Sequence, residues 1–552
     1  MRNLLDMLRL KHLALLCLMV PVMSLRVWGQ QTVGLFQADP STTDGYVLFG
    51  PLASTSAYLI DNCGRLVHSW QSGYTPGAAT KLMDNGLILR TCKVSNPVFG
   101  AVGGVGGRVE LLDWNSNVVW YYQVSDNSKS QHHDAIMLPN GNVVVVAWES
   151  VDSLTAINAG RNPANTAAML WPDMLLEIEP TTPGNGNIVW EWHAWDHLVQ
   201  DFDSTKANYG VVSDHPELLN LNYLDPTSKV NWFHVNGISY NADRDEIAIS
   251  SHRWDEIWII DHSTTTAQAA GHTGGNGGHG GDLLYRYGNP QTYNRGTVND
   301  QKFFGQHNIE WVAAGDPYAG MLKVYNNGLG RPAGPYSTLE IFEPPMDNGH
   351  YVLTPGQAYG PAAPAWMYMD TVNFYSYIVS NFERLPNGHN FVCEGALGHF
   401  FEIDSLNNVV WSYVNPVTAT GPVNQGDSIP TNIVFRANRI LPTHPGLAGQ
   451  TLTPGNPIEG NPLPIPSGCN GVSAAEPSEI ALEVFPNPVR QTLTIRRSSP
   501  ATADLRVMDS YGRVVLQGRV HGTEVTADMS SLAPGMYFLQ IGSGHSVKVA
   551  KL

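Results

Sequence analysis

Charged residues are scarce in this sequence, and positive charges are scarcer than negative ones. Only 14% of the 552 residues are Asp, Glu, Lys or Arg, whereas an ordinary soluble domain has about 25%. Lys and Arg total 31 against 48 Asp and Glu, which gives a formal net charge of −17. Nucleic-acid binding needs clustered positive charge to meet the phosphates, so the composition argues against that class of protein.

Long apolar runs are also lacking, since no stretch approaches the roughly 18 residues that a transmembrane helix needs. Near the N-terminus, basic residues precede an apolar stretch from Leu13 to Val22, an arrangement typical of a secretory signal peptide. We therefore expect residues 1–29 to be a signal peptide cleaved after Gly29. The exported mature chain would have no transmembrane segment; an uncleaved anchor is the alternative.

Cysteine is rare, and its spacing excludes one kind of metal site. Of five cysteines, Cys17 lies in the predicted signal peptide, which leaves Cys63, Cys92, Cys393 and Cys469. No two of them form a CxxC pair, so a cysteine zinc site is not expected. Four cysteines in an oxidising compartment allow two disulfides with three possible connectivities.

Glycine, proline and aromatic residues are abundant, and two short motifs recur among them. The first is an apolar residue closely followed by aromatics, at residues 67–70, 119–122, 189–192, 284–287, 365–368 and 410–413. The second is a strand with a tight turn, clearest at residues 82–86, 138–142 and 385–389. Its Asn-Gly pairs supply the positive φ of hairpin turns. Degenerate copies follow His234 and His307 and precede Leu441.

Six alternating copies of both motifs predict a six-bladed β-propeller, built from repeated four-stranded units with insertions. A β-sandwich with accidental aromatic pairs is the alternative. We assign residues 30–450 to the propeller and the Pro/Gly-rich residues 451–478 to a linker. Residues 479–552 contain short alternating strands, which predict a small C-terminal β-sandwich. The expected fold class is therefore all-β.

A closed propeller brings its first and last blades together, which bears on the cysteines. Cys63 lies in the predicted first blade and Cys469 follows the last one. We therefore expect a disulfide between them that staples the ring. Cys92 and Cys393 lie on different predicted blades, so we expect both thiols to be free.

The C-terminal segment resembles the sorting domain of the type IX secretion system. The matching motifs are residues 485–488 (Phe-Pro-Asn-Pro), 509–513, 532–537 and the terminal 548–551. The resemblance implies a bacterium of the Bacteroidetes kind and export through the periplasm to the cell surface or the extracellular space. It also implies that residues 479–552 bind the type IX secretion machinery. An adhesive module that stays on the protein is the alternative.

Three histidines stand at nearly the same position, a few residues before successive copies of the second motif. His133 and His234 precede their copies by five and six residues, and His307 precedes the next copy. The innermost strands of a propeller line its central channel, so residues at their starts lie close in space. We therefore expect three consecutive blades to place a histidine at the channel. Three unrelated blade-end histidines are the alternative.

Around these histidines the sequence resembles the bacterial aryl-sulfate sulfotransferases. The matching segments are residues 131–142, 232–236, 250–253, 257–261, 281–290 and 304–307, within a resemblance that runs from about residue 45 to residue 445. It implies a six-bladed propeller that moves a sulfuryl group from an aryl sulfate to a phenol through a transiently sulfated histidine. The family does not use the nucleotide sulfate donor. We expect no cofactor and no metal.

The resemblance assigns roles residue by residue. It makes His307 the nucleophile, and His133, His234 and Asn236 the groups that support the sulfuryl oxygens. The chemistry suits this assignment, because a neutral imidazole is nucleophilic near neutral pH. Fixed donors around the charged oxygens act like an oxyanion hole.

The sequence departs from the family at its arginine. Directly after the paired serines stands His252, and Arg253 follows. Because neighbours on a strand point to opposite faces, we expect only one of them to face the channel. We count Arg253 among the catalytic candidates and His252 as substrate-binding. Arg436, which we place in the sixth blade, is the second substrate-binding candidate, since guanidinium groups bind oxyanions; an ordinary blade-edge charge is the alternative.

Two glycine-rich segments are interpreted as loops. Residues 100–107 precede a strand instead of a helix, so we expect no dinucleotide site there. Residues 271–281 are interpreted as a flexible insertion, in which His272 and His279 are an alternative pair of metal ligands.

Two further hypotheses stay open beside the enzyme. One is a catalytically silent surface or extracellular binding propeller. The other is a Cu or Zn site formed by the channel histidines, since imidazole is a common ligand of both metals.

Overall fold

The computed structural model describes residues 31–100, 102–223, 230–466, 469, 483–497, 502–509, 513–541 and 546–552. The predicted signal peptide lies outside these residues, as does most of the predicted linker after residue 466. Among the described residues, no helix has the length and apolar content that a membrane crossing requires.

The framework is almost entirely β-structure. The first twenty strands are β1 (Gly34–Ala38), β2 (Tyr46–Pro51), β3 (Ser56–Asp61), β4 (Leu66–Gln71), β5 (Pro76–Leu82), β6 (Ile88–Lys93), β7 (Gly107–Leu112), β8 (Val118–Gln123), β9 (Lys129–Met137), β10 (Val143–Glu149), β11 (Val151–Asp152), β12 (Met169–Leu170), β13 (Asp173–Pro180), β14 (Gly186–His193), β15 (Leu198–Val199), β16 (Leu219–Asn220), β17 (Val235–Asn241), β18 (Glu246–Ser251), β19 (Glu256–Asp261) and β20 (Tyr285–Tyr287). The others are β21 (His307–Trp311), β22 (Leu322–Asn326), β23 (Thr338–Phe342), β24 (Met346–Asp347), β25 (His350–Tyr351), β26 (Trp366–Met369), β27 (Asn381–Arg384), β28 (Asn390–Glu394), β29 (His399–Ile403), β30 (Val409–Val414), β31 (Val417–Thr418), β32 (Gly421–Pro422), β33 (Val434–Ile440), β34 (Glu483–Phe485), β35 (Thr492–Arg496), β36 (Ala503–Met508), β37 (Val514–Val520), β38 (Glu524–Asp528), β39 (Gly535–Ile541) and β40 (Ser546–Lys551). Two short helices are described, α1 (Ser153–Asn158) and α2 (Thr266–Ala269).

Within the described residues, six antiparallel blades form the propeller. In order from the inner strand outwards, blade 1 is β33-β2-β3-β4, blade 2 is β5-β6-β7-β8 and blade 3 is β9-β10-β13-β14. Blade 4 is β17-β18-β19-β20, blade 5 is β21-β22-β23-β26 and blade 6 is β27-β28-β29-β30. The prediction of an all-β, six-bladed β-propeller is confirmed.

The two sequence motifs mark fixed places in each blade. The aromatic motif forms the fourth strand of each blade counted from the channel, namely β4, β8, β14, β20, β26 and β30. Its large rings fill the space between neighbouring blades, and Trp70, Trp120 and Trp411 are fully buried there. The Asn-Gly motif forms the turn after the inner strand, where Gly86 and Gly141 have φ of 82° and 86°, a conformation that favours glycine.

The ring is closed by both ends of the propeller chain. Strand β33 pairs with β2 with Tyr46 opposite Ile440, and β1 adds a fifth strand to β30 of blade 6. A disulfide joins Cys63 to Cys469 with Cα atoms 5.7 Å apart, which confirms the predicted pairing. The predicted free thiols, Cys92 and Cys393, are free and buried.

The C-terminal module consists of two packed sheets, β34-β35-β38 and β37-β36-β39-β40. They enclose their own apolar core, in which Leu493, Ile495, Val507, Leu539 and Val549 are fully buried. Burying these side chains stabilises the module by about 1.5–3 kcal/mol each as an upper estimate. The prediction of a small C-terminal β-sandwich is confirmed.

Candidate active site

The starts of the six inner strands form a ring at one end of the channel. Each blade contributes one side chain, and the six are Phe435, Ala78, His133, His234, His307 and Val379, in order from blade 1 to blade 6. Ala78, Val379 and Phe435 pack against one another as an apolar cluster. One half of the ring is therefore apolar, and the three predicted histidines occupy the other half.

A fourth histidine completes the polar half. The ring centroids of His133 and His234 are 4.5 Å apart, those of His234 and His252 are 5.4 Å apart, and those of His252 and His307 are 5.1 Å apart. Phe435 closes the circle at 6.0 Å from His133 and 6.5 Å from His307. The structure thus brings the three predicted histidines and His252 together.

Irregular backbone aims these side chains at the channel. His133, His234, Asn308 and Val379 have φ of 49°, 54°, 55° and 51°, in a region that costs energy for any residue with a Cβ. The register of the inner hairpin shifts at this step in blades 3, 4 and 5. Such bulges redirect side chains and often lie next to active sites.

Residues 102–107 of the first glycine-rich segment pack against this end of the channel. The Gly104 carbonyl accepts a hydrogen bond from the His133 backbone N–H at 2.8 Å. A Cβ at Gly104 would lie 1.9 Å from the His133 ring, so only glycine allows the loop to approach this closely.

The hydrogen bonds of His307 define its tautomer. Asn327 donates its side-chain amide to the carbonyls of Ser376 and Val379 at 2.7 and 3.0 Å, so its Oδ1 faces the ring. That oxygen lies 2.8 Å from His307 Nδ1, and an acceptor there requires Nδ1 to carry the proton. Nε2 therefore holds the lone pair, and it accepts the Val379 backbone N–H at 3.2 Å.

His234 has the opposite arrangement. The Asn231 side-chain amide donates to His234 Nδ1, with 2.5 Å between the nitrogens. Because Nδ1 accepts, the proton of a neutral His234 is on Nε2. His234 can therefore offer an N–H where His307 offers a lone pair.

His133 is held by a chain of buried groups. His132 Nδ1 lies 2.8 Å from His133 Nδ1, and His132 Nε2 lies 2.8 Å from Asp173 Oδ1. Trp148 stacks on His132 with ring centroids 3.9 Å apart. Burial raises the pKa of Asp173 well above its usual value. His132 Nε2 forms no hydrogen bond with this carboxyl in spite of the short distance, so the contacts hold the two histidines in place without setting the tautomer of His133.

All three channel histidines are held in the neutral form. Burial is the main cause that lowers the pKa of His133, His234 and His307 well below the usual value. The neighbouring histidine rings lower it further, and Arg436 contributes at His133 and His307. The cluster therefore offers donors and a lone pair near neutral pH instead of permanent charge.

The permanent charge comes from Arg436, which is buried beside the histidines. Its guanidinium lies 2.6 Å from Asp134 Oδ2, and Lys81 lies 3.1 Å from Asp134 Oδ1. Burial alone would raise the pKa of Asp134, but these two cations bring it below its usual value. Two cations and one carboxylate leave a net charge of one positive unit beside the channel histidines. The blade-edge alternative is wrong, and Arg436 lies in β33 of blade 1 instead of in the sixth blade.

Asn236 forms a hydrogen bond with the backbone next to His307, the candidate nucleophile. Its side-chain amide donates to the Gln306 carbonyl at 2.8 Å, and its own carbonyl accepts from Arg436 at 3.2 Å. Gln306 is fixed further by bonds from its amide to the carbonyls of Ser251 and Glu256. Asn236 therefore holds the peptide that precedes His307.

The sequence of the chain matches the profile of a known protein family. The profile described as Arylsulfotransferase (ASST) matches residues 54–422, two thirds of the chain, from β3 of blade 1 through the whole of blades 2 to 6. The chain belongs to the arylsulfotransferase family. Sulfuryl transfer is accordingly the reaction class that membership supports.

A second profile, described as the secretion system C-terminal sorting domain, matches residues 483–552. This type IX sorting tail points to export and to a location on the cell surface or outside the cell. The recognition of both families from sequence is confirmed.

The solved structures that resemble this chain are distant from it in sequence. A Bacteroides caccae protein of unknown function is 11% identical, with 72% of this chain and 99% of that chain covered and a TM-score of 0.39. The β-propeller domain of Myceliophteria thermophila Cps50 (Swd1) is 10% identical, with coverage of 70% and 90% and a TM-score of 0.35. The Pseudomonas aeruginosa periplasmic gluconolactonase PpgL is 10% identical, with coverage of 72% and 99% and a TM-score of 0.35. No curated protein matches the chain.

The departure from the arylsulfotransferase pattern lies at His252 and Arg253. Strand β18 ends at Ser251, so both residues lie in the following turn and the argument from strand alternation does not apply. The backbone N–H groups of His252 and Arg253 donate to the carbonyls of His234 and Phe233. The His252 ring lies between His234 and His307, while the charge of Arg253 lowers the pKa of His234. His252 therefore belongs to the histidine cluster, and Arg253 influences it through its charge.

Several residues of the site could not be found from the sequence. They are His132, Asp173, Asn231, Asn327 and Phe435. His132 directly precedes His133, and its position was the one available signal. The others contact the histidines across blades or after a loop, and no local spacing marks them.

Proposed function

We propose that the chain is an exported sulfotransferase that moves a sulfuryl group from an aryl sulfate donor to a phenolic acceptor through a sulfated His307. It does so without nucleotide sulfate and without a cofactor. One observation carries the proposal: the hydrogen bonds of His307 leave a lone pair on its Nε2, whereas the bond from Asn231 to His234 leaves an N–H on the Nε2 of His234.

The first step uses the lone pair of His307. Nε2 attacks the sulfur of the aryl sulfate, the N–S bond forms, and the bond from sulfur to the aryl oxygen breaks so that the phenolate leaves. The ring acquires positive charge as it does so. Asn327 Oδ1 accepts the Nδ1 proton at 2.8 Å and stabilises that charge.

The second step returns the enzyme to its resting state. The oxygen of a phenolic acceptor attacks the same sulfur, the N–S bond breaks, and the pair of electrons returns to His307 Nε2. The acceptor loses its hydroxyl proton in this step, and the phenolate released in the first step or solvent takes it up. The two half-reactions predict ping-pong kinetics.

The neighbours supply what a sulfuryl group needs. Its oxygens stay negatively charged through the transfer, and preorganised donors stabilise such charge in a site that excludes water. The Nε2–H group of His234, the ring of His133 beside it and the net positive charge at Arg436 and Asp134 provide this stabilisation. Asn236 positions His307 through the Gln306 carbonyl.

The apolar half of the ring suits an aromatic substrate. Ala78, Val379 and Phe435 face the histidines and expose almost no surface. An aryl ring placed against them keeps its sulfate beside the histidines. The Val379 N–H, which His307 Nε2 now accepts, must give up that bond before the lone pair attacks.

The test is acceptor-dependent turnover with mapping of the intermediate. The full chain is incubated with 4-nitrophenyl sulfate, with and without phenol, and released 4-nitrophenol is measured. The His307→Asn variant should lose transfer completely, because no other group replaces a covalent nucleophile. His133→Ala and His234→Ala should slow transfer by about 100- to 1000-fold, and Arg253→Ala should act likewise. His68→Asn, on the outer strand of blade 1, is the matched control.

Three outcomes would contradict the proposal. Wild-type activity in His307→Asn would remove the assigned nucleophile. Release abolished by a chelator would favour a metal held by the channel histidines. The absence of both turnover and adduct with every aryl sulfate tried would favour a binding propeller.

A further inference from the structure

Two histidines and an aspartate meet outside the channel, between blades 3 and 4. His197 follows a 3₁₀ turn at Ala194–Asp196 after β14, whereas His272 and Asp282 lie in the insertion between β19 and β20. The Nδ1 atoms of both histidines lie 2.8 Å from the same oxygen, Asp282 Oδ1. The three ligand atoms all lie within 4.8 Å of one another.

The insertion that carries two of these residues is held in place, contrary to the expected flexible loop. Gly281 N–H donates to the Gly271 carbonyl at 3.0 Å, and the Trp192 indole donates to the Gly281 carbonyl at 2.7 Å. A Cβ on Gly281 would lie 2.7 Å from His197 Nε2, so glycine lets the loop close on the histidine. The ligand atoms are therefore preorganised.

The contacts of His197 present an electrostatic problem. Its Nε2 lies 2.9 Å from the Ala269 carbonyl oxygen, which can only accept, so Nε2 carries a proton. The lone pair of Nδ1 then faces Asp282 Oδ1 at 2.8 Å. Both atoms are acceptors, and a cation shared between them would satisfy both.

We propose that His197, His272 and Asp282 bind a divalent metal ion of the zinc class. Two imidazole nitrogens and one carboxylate oxygen are a zinc donor set, with water as the fourth ligand. Tetrahedral ligands about 2.0–2.1 Å from zinc lie roughly 3.3 Å apart, and each Nδ1 atom lies 2.8 Å from Asp282 Oδ1. His272 also lines a cavity of about 600 Å³, which gives water access to the fourth position.

The surroundings of His197 match those of a metal ligand. A ligating histidine characteristically donates its other N–H to a backbone carbonyl or carboxylate, which fixes the ring and its tautomer. Ala269 supplies that carbonyl from the end of α2, which a capping box at Thr265 stabilises. Trp192 stacks parallel to the His197 ring with centroids 5.7 Å apart.

The metal would join two blades far from the histidine channel. His197 belongs to the outer edge of blade 3, and Asp282 precedes β20, the outer strand of blade 4. Metal binding to the native state alone raises stability by mass action. The site is independent of the proposed sulfuryl transfer, and its metal would be structural.

The test measures metal content and thermal stability of the full chain. The protein is stripped with a chelator, dialysed against Zn²⁺, and analysed by elemental mass spectrometry; Co²⁺ absorption reports the coordination. The key variant is His272→Ala, because this side chain is 60% exposed and its loss leaves the packing intact. His279→Ala, an exposed histidine of the same insertion, is the matched control.

We expect one Zn²⁺ per chain in the wild type and in His279→Ala, and a loss of affinity of at least about tenfold in His272→Ala. Zn²⁺ should raise the melting temperature of the first two proteins only. The proposal is overturned if the stripped wild type takes up no zinc. It is also overturned if His272→Ala binds zinc as tightly as the wild type, or if only His133→Ala loses it.

Discussion

Acid should destabilise the propeller through histidines that folding buries without charge, and His307 offers a clean test. Burial, with help from the nearby His252, holds the pKa of His307 well below its usual range. Unfolding returns the side chain to water, where its pKa is about 6.5. The stability that depends on a neutral His307 is therefore fully retained above pH 6.5. It is lost as the pH falls from there towards the lowered pKa of His307 in the folded state.

The size of the effect follows from the proton that only the unfolded chain binds. Between about pH 7.5 and about pH 5.5, one histidine that stays neutral in the fold lowers the free energy of unfolding by about 1.4 kcal/mol. The His307→Asn variant lacks this group. It should therefore lose about 1.4 kcal/mol less stability than the wild type over the same interval.

The assay is urea unfolding at both pH values, followed by tryptophan fluorescence. His193→Asn is a control of opposite sign. Although burial lowers its pKa, the contacts with Glu149 and Glu191 raise the pKa of His193 to about 9. The contribution of His193 to the free energy of unfolding is fully present below pH 6.5 and is lost as the pH rises through about 9. The His193→Asn variant lacks this contribution, so acid should destabilise it more than it destabilises the wild type. If the free energy of unfolding of the wild type and of His307→Asn changed equally with pH, the claim that His307 is buried in its neutral form would be refuted.

Three more predictions follow from single features of the structure. Asn327→Ala should lower kcat about 100-fold with little change in KM, because His307 Nδ1 loses its acceptor, whereas Asn327→Asp keeps one and should keep more activity; steady-state kinetics on both variants decide this. Deleting residues 479–552 should leave a folded propeller in the periplasm, as measured by fractionation and immunoblotting, and normal appearance outside the cell would contradict the sorting role. Replacing Cys63 and Cys469 by serine should lower the free energy of unfolding by about 4 kcal/mol, and an unchanged denaturation midpoint would refute ring closure as a source of stability.

The blade count and the positions of three histidines could be predicted from sequence because both rest on local repetition. The aromatic motif marks the fourth strand of every blade, and the Asn-Gly motif marks the turn that follows inner strands. His133, His234 and His307 stand at one step of that repeat, so their proximity followed from the closed ring. Ring closure likewise led to the pairing of Cys63 with Cys469.

The groups that set the chemistry of those histidines could not be predicted in this way. Asn327 reaches His307 from the end of the next strand, and Asp173 reaches His133 through His132. These contacts depend on bulges and turns that no periodicity marks. The orientation of His252 and Arg253 could not be predicted for the same reason, because the chain already turns after β18 ends at Ser251.

The nucleophile is the central claim, and mass spectrometry of the covalent intermediate tests it most directly. The full chain is treated with an aryl sulfate in the absence of acceptor, quenched and digested. We predict one added sulfuryl group on the peptide that contains His307, which disappears when a phenol is added before quenching. An adduct on His133, His234 or His252 instead, or an adduct that phenol does not remove, would contradict the account.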